Sequence, residues 1–243
     1  MGGGAERGES MRDRIIVALD TPDVESALDI AAALKGRAKW LKVGMTLFYS
    51  EGPAVVHALR DMGYDVFVDL KLHDIPHQVR GAARALGSLG AGMLTVHAGG
   101  GAEMIAAAVE GASLGATAAH VEPPAVLAVT VLTSLDPVTL ASTGVRVAPA
   151  EQVRRLTGLA LGAGADGVVC SPLEVADARN LVGPDALVVT PGVRPVWSDI
   201  GDQVRIATPG AALAAGASHI VVGRPITGAG DPVAAFDRIL AEG

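Results

Sequence analysis

The sequence is poor in cysteine and in aromatic residues. It has one cysteine, Cys170, among 243 residues, and only 3% of its residues are aromatic. A single cysteine excludes a disulfide within the chain and favours the reducing cytoplasm as its location. Because the neighbours of Cys170 in "DGVVCS" are mostly apolar, we interpret it as a small buried hydrophobe rather than a catalytic thiol.

The sequence also lacks an excess of basic residues and a long apolar segment. Its 19 Lys and Arg against 26 Asp and Glu give a net charge of −7. This argues against nucleic acid as a partner, because binding to phosphate backbones needs clustered cations. No apolar run approaches the ~20 residues that span a bilayer, so we expect no membrane partner. Residues 1–11 are polar and glycine-rich and lack the apolar core of a signal peptide, which predicts a disordered leader.

Two sequence patterns alternate along the rest of the chain. Short runs rich in β-branched residues are followed by Ala- and Leu-rich segments of helical period. Strands are predicted at residues 14–20, 39–45, 65–72, 93–98, 125–132, 166–171, 186–192 and 219–225. Helices are predicted near residues 23–35, 52–62, 76–89, 102–114, 149–163, 172–181, 202–215 and 231–241.

The strand segments are mostly continuous apolar runs, which is typical of a parallel sheet covered by helices. Eight β/α units in about 230 residues predict an α/β fold, a single-domain (β/α)8 TIM barrel over residues 12–243. An open, doubly wound sheet is the alternative. The longest irregular segments, residues 115–124, 133–148 and 193–201, are candidate functional loops.

Residues suited to chemistry collect at the C-terminal ends of the predicted strands, where a (β/α)8 enzyme builds its site. They are Asp20, Lys42, Asp69, Lys71, Asp74, His97, Thr130, Thr133, Ser171, Thr190, Arg194, Gly223 and Arg224. A scaffold alone has no reason to place ionisable groups at one end of so many strands. The asymmetry therefore predicts an enzyme.

The segment "DLKLHDIP" at residues 69–76 concentrates these charges. Asp69 and Lys71 are two residues apart and so lie on one face of a strand. At about 3 Å, a carboxylate and an ammonium keep each other charged. Asp74 lies just before Pro76, near a predicted helix start, where a carboxylate is favoured. A helix cap with a salt bridge accounts for Asp74, but it does not explain two charges in a strand that otherwise reads "VFV".

The ends of the last two strands, "TPGVRP" and "VVGRPIT", predict a phosphate site. Glycine lets backbone N–H groups approach an anion, and arginine binds phosphate through two hydrogen bonds. Such sites are common after strands 7 and 8 of this fold. A tight turn with a surface arginine is the alternative for Gly223 and Arg224. His73, His77 and His97 invite a metal interpretation, but without a cysteine cluster we predict no metal and interpret His97 as a core or supporting histidine.

Nine segments follow one another in a fixed order over nearly the whole chain. They read "VALD", "LKVGMTLF", "DLKLHDIP", "VHAGGG", "AVTVLTSL", "GVVCSP", "VTPGVRP", "GDQVRIATPGAAL" and "VVGRPIT". This set resembles the orotidine 5′-phosphate decarboxylase family, with residues 1–11 outside the match. The resemblance implies a homodimeric (β/α)8 barrel that forms UMP from orotidine 5′-phosphate without a metal or an organic cofactor.

The resemblance also implies roles for individual residues. Lys71 would donate a proton to C6 of the pyrimidine, Asp69 would lie beside the substrate carboxylate, and Asp74 would reach into the neighbouring subunit's site. The substrate-binding residues implied are Asp20 and Lys42 at the ribose, Thr133 near the pyrimidine, Ile75 and Gln78, and Arg194, Gln203, Gly223 and Arg224 at the phosphate. Residues 194–203 would form a closing loop.

One position departs from the family pattern. The family commonly has Ile-Pro-Asn-Thr where this chain has Ile75-Pro76-His77-Gln78. Gln78 replaces a threonine that touches the ligand across the dimer, and its amide still donates and accepts hydrogen bonds. Two alternatives stay open: a Mg2+-dependent sugar-phosphate decarboxylase with a related Asp-x-Lys-x-x-Asp motif, and a non-catalytic barrel that binds a phosphate ligand.

Overall fold

Eight parallel strands, each hydrogen-bonded to the next, close into a barrel in the computed structural model, which describes residues 10–198 and 207–242. The strands are β1 Ile15–Leu19, β2 Trp40–Gly44, β3 Asp65–Leu72, β4 Met93–His97, β5 Ala125–Val129, β6 Gly167–Val169, β7 Leu187–Thr190 and β8 His219–Val222. The pairing of β1 with β8 closes the ring. The predicted (β/α)8 barrel is therefore confirmed, and the doubly wound sheet is wrong.

Helices connect the strands on the outside of the barrel. They are α1 Val24–Leu34, α2 Met45–Glu51, α3 Ala54–Asp61, α4 Pro76–Gly87, α5 Ala102–Ala119, α6 Pro137–Ser142, α7 Pro149–Gly162, α8 Val175–Val182, α9 Pro209–Ala214, α10 Arg224–Thr227 and α11 Pro232–Leu240. Short 3-10 turns lie at Met11–Arg14, Ala98–Gly100 and Pro172–Glu174. Among the described residues, no helix is long and apolar enough to cross a membrane.

Several predicted boundaries were wrong. α2 follows β2 directly, although no helix was predicted there. α5 runs to Ala119 and occupies half of the loop predicted at residues 115–124, while α6 interrupts the loop predicted at 133–148. The last four strands end two to three residues early, at Val129, Val169, Thr190 and Val222. Thr130, Thr133, Ser171 and Gly223 therefore lie in loops rather than in strands, and Arg224 begins α10.

The predicted leader, residues 1–11, lies partly within the described residues. Residues 1–9 lie outside them, so the disorder predicted there stays a prediction. Met11, which we placed in the leader, instead begins the first 3-10 turn, and its side chain packs against the core. The ordered chain therefore includes at least one residue that the sequence pattern assigned to the leader.

Strand side chains alternate between two separate cores. One core joins strands to helices and includes Val17, Val68 and Leu94. The other contains strand residues, such as Phe67 and Met93, and fills the barrel interior. This alternation follows from the period of two along a strand. Because interior positions recur at every second residue, each strand also has one interior position near its C-terminal end. On β2 and β3 this position holds Lys42 and Asp69, whereas β5, β6 and β8 have Val129, Val169 and Val221 there.

The lower end of the barrel interior is closed by Trp40 and His219. Their rings meet edge to face, with centroids 5.8 Å apart. His219 is only 3% exposed. Burial, together with the nearby cations Arg14 and Lys39, lowers the pKa of His219 to about 4. The imidazole is therefore neutral at pH 7 and behaves as part of the apolar floor.

Helices α4 and α5 pack with their backbones in contact. A Cβ atom at Gly115 would overlap the carbonyl oxygen of Arg84, and one at Gly111 would overlap that of Arg80. Gly87 on the opposite helix meets the carbonyl of Ala112 in the same way. The close approach of the two helix backbones therefore requires glycine at these three positions.

We expect Gly115→Ala to destabilise the protein by about 1–3 kcal/mol, because the added methyl must push the two helices apart. Gly158→Ala in α7 is the matched control, since a Cβ there meets no atom within 4 Å. This change should stabilise the protein by up to ~1 kcal/mol through higher helix propensity. Urea unfolding monitored by circular dichroism measures both. Equal effects of the two substitutions would contradict the packing argument.

Candidate active site

The C-terminal end of the barrel holds a groove built from three adjoining cavities. The first, of about 300 Å³, is lined by Lys42, Phe67, Asp69, Lys71, Val129, Val131, Leu132, Thr133, Ser134, Val169, Cys170, Pro191 and Val221. The second, of about 330 Å³, shares Lys42 and Asp69 with it and adds Asp20, Arg194, Gly223 and Arg224, among others. The third, of about 480 Å³, shares both arginines and extends to Trp197. The groove thus runs from an apolar wall with Thr133 to a cationic end.

Four charged side chains alternate in sign across the inner part of this groove. Asp20 accepts a hydrogen bond from the Lys42 ammonium at 2.9 Å. Lys42 Nζ also lies 3.6 Å from a carboxylate oxygen of Asp69. Lys71 Nζ donates to both oxygens of Asp69, at 2.8 and 2.9 Å. The structure thus brings together four residues predicted from three different strand ends.

Burial and the neighbouring charges shift the pKa values of Lys42 and Asp69 in opposite directions. Burial alone would lower the pKa of Lys42, but the carboxylates of Asp69 and Asp20 outweigh it, and the pKa is raised. Burial would raise the pKa of Asp69, but Lys42 and Lys71 outweigh it, and the pKa is lowered. Asp69 therefore contributes stability above its ordinary pKa, and this contribution is lost as the pH falls through the lowered value.

A bulge in β3 produces this arrangement. Val68 pairs with Leu94 and Leu72 pairs with Val96, so β3 uses four steps where β4 uses two. Lys71, inside the bulge, has a φ of 52°, in the left-handed region that residues with a Cβ seldom adopt. The alternation rule correctly placed Asp69 and Lys71 side by side, but the backbone between them is not a regular strand.

Asp74, Ile75 and Gln78 do not line these three cavities. Asp74 is exposed, and its Oδ1 accepts a hydrogen bond from the N–H of Ile75 at 2.6 Å. Ile75 is 63% exposed, and Gln78 is exposed in the first turn of α4. Among the described residues, Asp74 forms no ion pair with Lys71. Within one chain, therefore, Asp69 and Lys71 of the "DLKLHDIP" segment point into the groove, whereas Asp74 is exposed outside it.

Two arginines form the other end of the groove. Arg194 is buried, at 8% exposure, and Arg224 follows β8 at the start of α10. Both arginines line the same two cavities. Burial and the like charge of Arg224 lower the pKa of Arg194, as expected for two cations that repel each other. An anion between them would relieve this repulsion. Gln203 lies outside the described residues, as do residues 199–203 of the predicted closing loop.

The family model described as "Orotidine 5′-phosphate decarboxylase / HUMPS family" matches residues 13–239. The chain belongs to this family.

Individual relatives resemble the chain over nearly its whole length. The orotidine 5′-phosphate decarboxylase of Cutibacterium acnes is 52% identical over 227 residues, which cover 93% of this chain and 94% of the relative. That of Anaeromyxobacter sp. (strain K) is 53% identical and covers 94% of this chain and 97% of its own length. The crystal structure of orotidine 5′-phosphate decarboxylase from Lactobacillus acidophilus superposes with a TM-score of 0.84 at 45% identity, covering 95% of this chain and 98% of that one.

The sequence interpretation of this decarboxylase-family chain missed Thr95. This fully buried hydroxyl on β4 contacts both Asp69 and the backbone of Lys71. The sequence gives one indication of it, a single polar residue within the apolar run "MLTVH". Cys170 was predicted to be buried and is, but it also lines the groove.

The histidines near the groove form a pair rather than a metal site. The rings of His73 and His97 lie 5.4 Å apart. Burial, and the nearby His73 and Lys71, lower the pKa of His97. His73 and His77 are four residues apart, but His73 precedes α4, so the two do not share a helix face. Among the described residues, no three His, Cys, Asp or Glu side chains are grouped to hold a metal ion, and a metal-free reaction stays a prediction.

We expect Asp69→Asn to destabilise the protein by about 3 kcal/mol, because it leaves two ammonium groups facing each other with one carboxylate fewer. Asp65→Asn on the same strand is the control, since the Asp65 side chain is 48% exposed and lies 3.8 Å from Lys39. It should cost less than about 0.5 kcal/mol. Urea unfolding at pH 7 measures both, and similar costs would contradict the central place given to Asp69.

Proposed function

We propose that this protein decarboxylates orotidine 5′-phosphate to UMP, the last step of pyrimidine nucleotide synthesis, in the cytoplasm. The observation that carries the proposal is the Asp20–Lys42–Asp69–Lys71 network in a groove that ends at two arginines. The names of the relatives support it. They favour it over a Mg2+-dependent sugar-phosphate decarboxylase, and the intact Asp69–Lys71 pair favours it over a non-catalytic binding barrel.

The distribution of charges along the groove supports one orientation of the substrate. Its phosphate would bind at Arg194 and Arg224, with the backbone at Gly223 and the side chain of Gln203 as further contacts. The ribose hydroxyl groups would bind Asp20 and Lys42. The pyrimidine would then lie against the apolar wall, with Thr133 beside it. This order places C6 of the ring toward the innermost charges.

The chemistry follows from the charges at that end. The bond between C6 and the carboxylate breaks, CO2 leaves, and the electron pair remains on C6 as a carbanion with little resonance stabilisation. The ammonium of Lys71, fixed by two hydrogen bonds to Asp69, is a preorganised cation where this negative charge develops. It then gives its proton to C6 and regains one from solvent. Asp69 would also face the substrate carboxylate and repel it in the ground state.

The reaction so described uses neither a metal nor an organic cofactor. Phosphate binding is remote from C6, and its binding energy would serve to order the groove around the substrate. The alternating charges exist before substrate arrives, so no reorganisation is needed at the moment of bond cleavage. The protein would therefore supply the whole of the catalysis through placement of its own side chains.

We also propose that the protein acts as a homodimer with shared sites. Asp74 and Ile75 are exposed beside the groove without lining it, and Asp74 accepts a hydrogen bond from its own loop. A second subunit seated on this face would bury Ile75 and receive Asp74, Ile75 and Gln78 at its own groove. Asp74 would then stand near the partner's Lys71 ammonium as a second carboxylate.

We expect Lys71→Ala to reduce kcat at least about 10⁴-fold, because both the cation and the proton donor are removed. The loss of the orotate absorbance of orotidine 5′-phosphate measures turnover, with excess EDTA present throughout. Circular dichroism confirms that the variant folds. Wild-type turnover that disappears in EDTA would favour the Mg2+-dependent alternative, and substantial turnover by Lys71→Ala would remove Lys71 from its role.

Mixing two inactive variants tests the shared site. Lys71→Ala and Asp74→Ala, unfolded together and refolded, should recover about a quarter of wild-type activity, since half of the dimers are mixed and each contains one intact site. Neither variant refolded alone should exceed its own low activity. A mixture that shows only the average of the two variants would contradict the assignment of Asp74 to the partner's site.

A further inference from the structure

We propose that Thr95 is a positioning residue, whose buried hydroxyl fixes both the carboxylate of Asp69 and the bulged backbone of Lys71. The expected effect on kcat rests on the proposed function, whereas the hydrogen bonds of Thr95 and their effect on the titration of Asp69 do not depend on the substrate. No segment used to relate this chain to its family includes Thr95.

The geometry places one hydroxyl between the two charged residues. Thr95 lies on β4, is 0% exposed and faces the barrel interior after Met93. Its Oγ1 donates a hydrogen bond to Oδ1 of Asp69 at 2.9 Å. The same oxygen accepts a hydrogen bond from the backbone N–H of Lys71 at 2.9 Å. A single side chain thus contacts the side chain of one member of the pair and the main chain of the other.

The bulge explains why such a contact is needed. Residues 69–71 of β3 all lie opposite Thr95, because the pairing passes from Val68–Leu94 directly to Leu72–Val96. The regular series of backbone hydrogen bonds between β3 and β4 is interrupted there. Lys71 also has a left-handed backbone, which the surrounding structure must hold in place. The Thr95 hydroxyl supplies an acceptor within this interruption.

The direction of the two hydrogen bonds favours the ionised form of Asp69 as well as its position. A hydroxyl has one hydrogen, and giving it to Asp69 leaves lone pairs for the N–H of Lys71. Asp69 Oδ1 must then accept, as a carboxylate does, and the same oxygen accepts from Lys71 Nζ at 2.8 Å. The hydrogen bond from Thr95 is one of the causes that lower the pKa of Asp69. Removing it should therefore shift both the placement of the Lys71 ammonium and the titration of its partner.

The purely structural alternative makes a different prediction. Ser218, just before β8 at the opposite end of the barrel from the groove, also uses its hydroxyl to hold a charged side chain and a backbone N–H. It accepts hydrogen bonds from Arg179 Nη2 at 2.7 Å and from the N–H of Val188 at 3.0 Å. If Thr95 only stabilises the barrel, removing either hydroxyl should lower Tm without a selective loss of kcat.

The experiment compares Thr95→Val, Thr95→Ser and Ser218→Ala. We expect Thr95→Val to lose about 100-fold in kcat, the scale of a displacement of about 1 Å at a reacting group, with KM changed less than about threefold. The acid limb of its kcat–pH profile should move to higher pH, because Asp69 loses a donor. Thr95→Ser keeps the hydroxyl and should retain kcat within about threefold, while Ser218→Ala lowers Tm and keeps kcat.

A second measurement is independent of turnover. The pH at which Asp69 titrates, followed by carbon-13 NMR of its carboxylate, should rise in Thr95→Val and not in Ser218→Ala. If wild-type protein shows no turnover, the proposed function fails while this titration still tests Thr95. Wild-type kcat and an unchanged Asp69 titration in Thr95→Val would overturn the inference, as would equal losses of kcat in Thr95→Val and Ser218→Ala. Should Thr95→Val not fold, Thr95→Ala takes its place with the same two expected results.

Discussion

The carboxylate of Asp69 is the group on which the charged end of the barrel depends. It accepts hydrogen bonds from Lys71 and lies within ion-pair distance of Lys42, and Asp20 completes the row. Two ammonium groups taken out of water repel each other and lose solvation, so the row is stable only with a negative charge between them. Because the charges satisfy one another before any ligand binds, the groove is preorganised. A substrate that enters the groove therefore meets charges that are already in position, and no side chain has to reorient first.

The barrel separates this charged layer from an apolar one. Phe67 and Met93 fill the interior below the charges, and the neutral His219 and Trp40 close the lower end. Interior positions low in the barrel are apolar, whereas those near the C-terminal ends of β2 and β3 are charged. The helices outside pack on the other face of the strands and make no demand on the interior residues. Stability and chemistry therefore occupy different positions of the same strands, and the groove combines these charges with an apolar wall that includes Val129, Val169 and Val221.

Much of the fold follows from local sequence, and much of the site does not. The eight strands and most helices could be predicted, because their periodicity depends on residues within one segment. Asp69 and Lys71 could be placed together by alternation, and the arginines by their position after strands. The bulge could not be predicted, since a left-handed lysine leaves no mark in composition and depends on the opposite strand. Thr95 and Gly115 were missed for a related reason. Each is defined by a neighbour distant in sequence, a carboxylate in one case and a helix backbone in the other.

The bulge in β3 contains an even number of extra residues, and this even number determines to which face of the barrel the residue after the bulge points. Val68 below it and Leu72 above it both face the helices, opposite Leu94 and Val96, which do the same. An odd insertion would have turned Leu72, the last residue of the strand, toward the interior. With two extra residues, Leu72 faces the helices as Val68 does. The Asp69–Lys71 pair therefore lies in a local interruption of β3 that leaves the interior and exterior faces of the barrel unchanged.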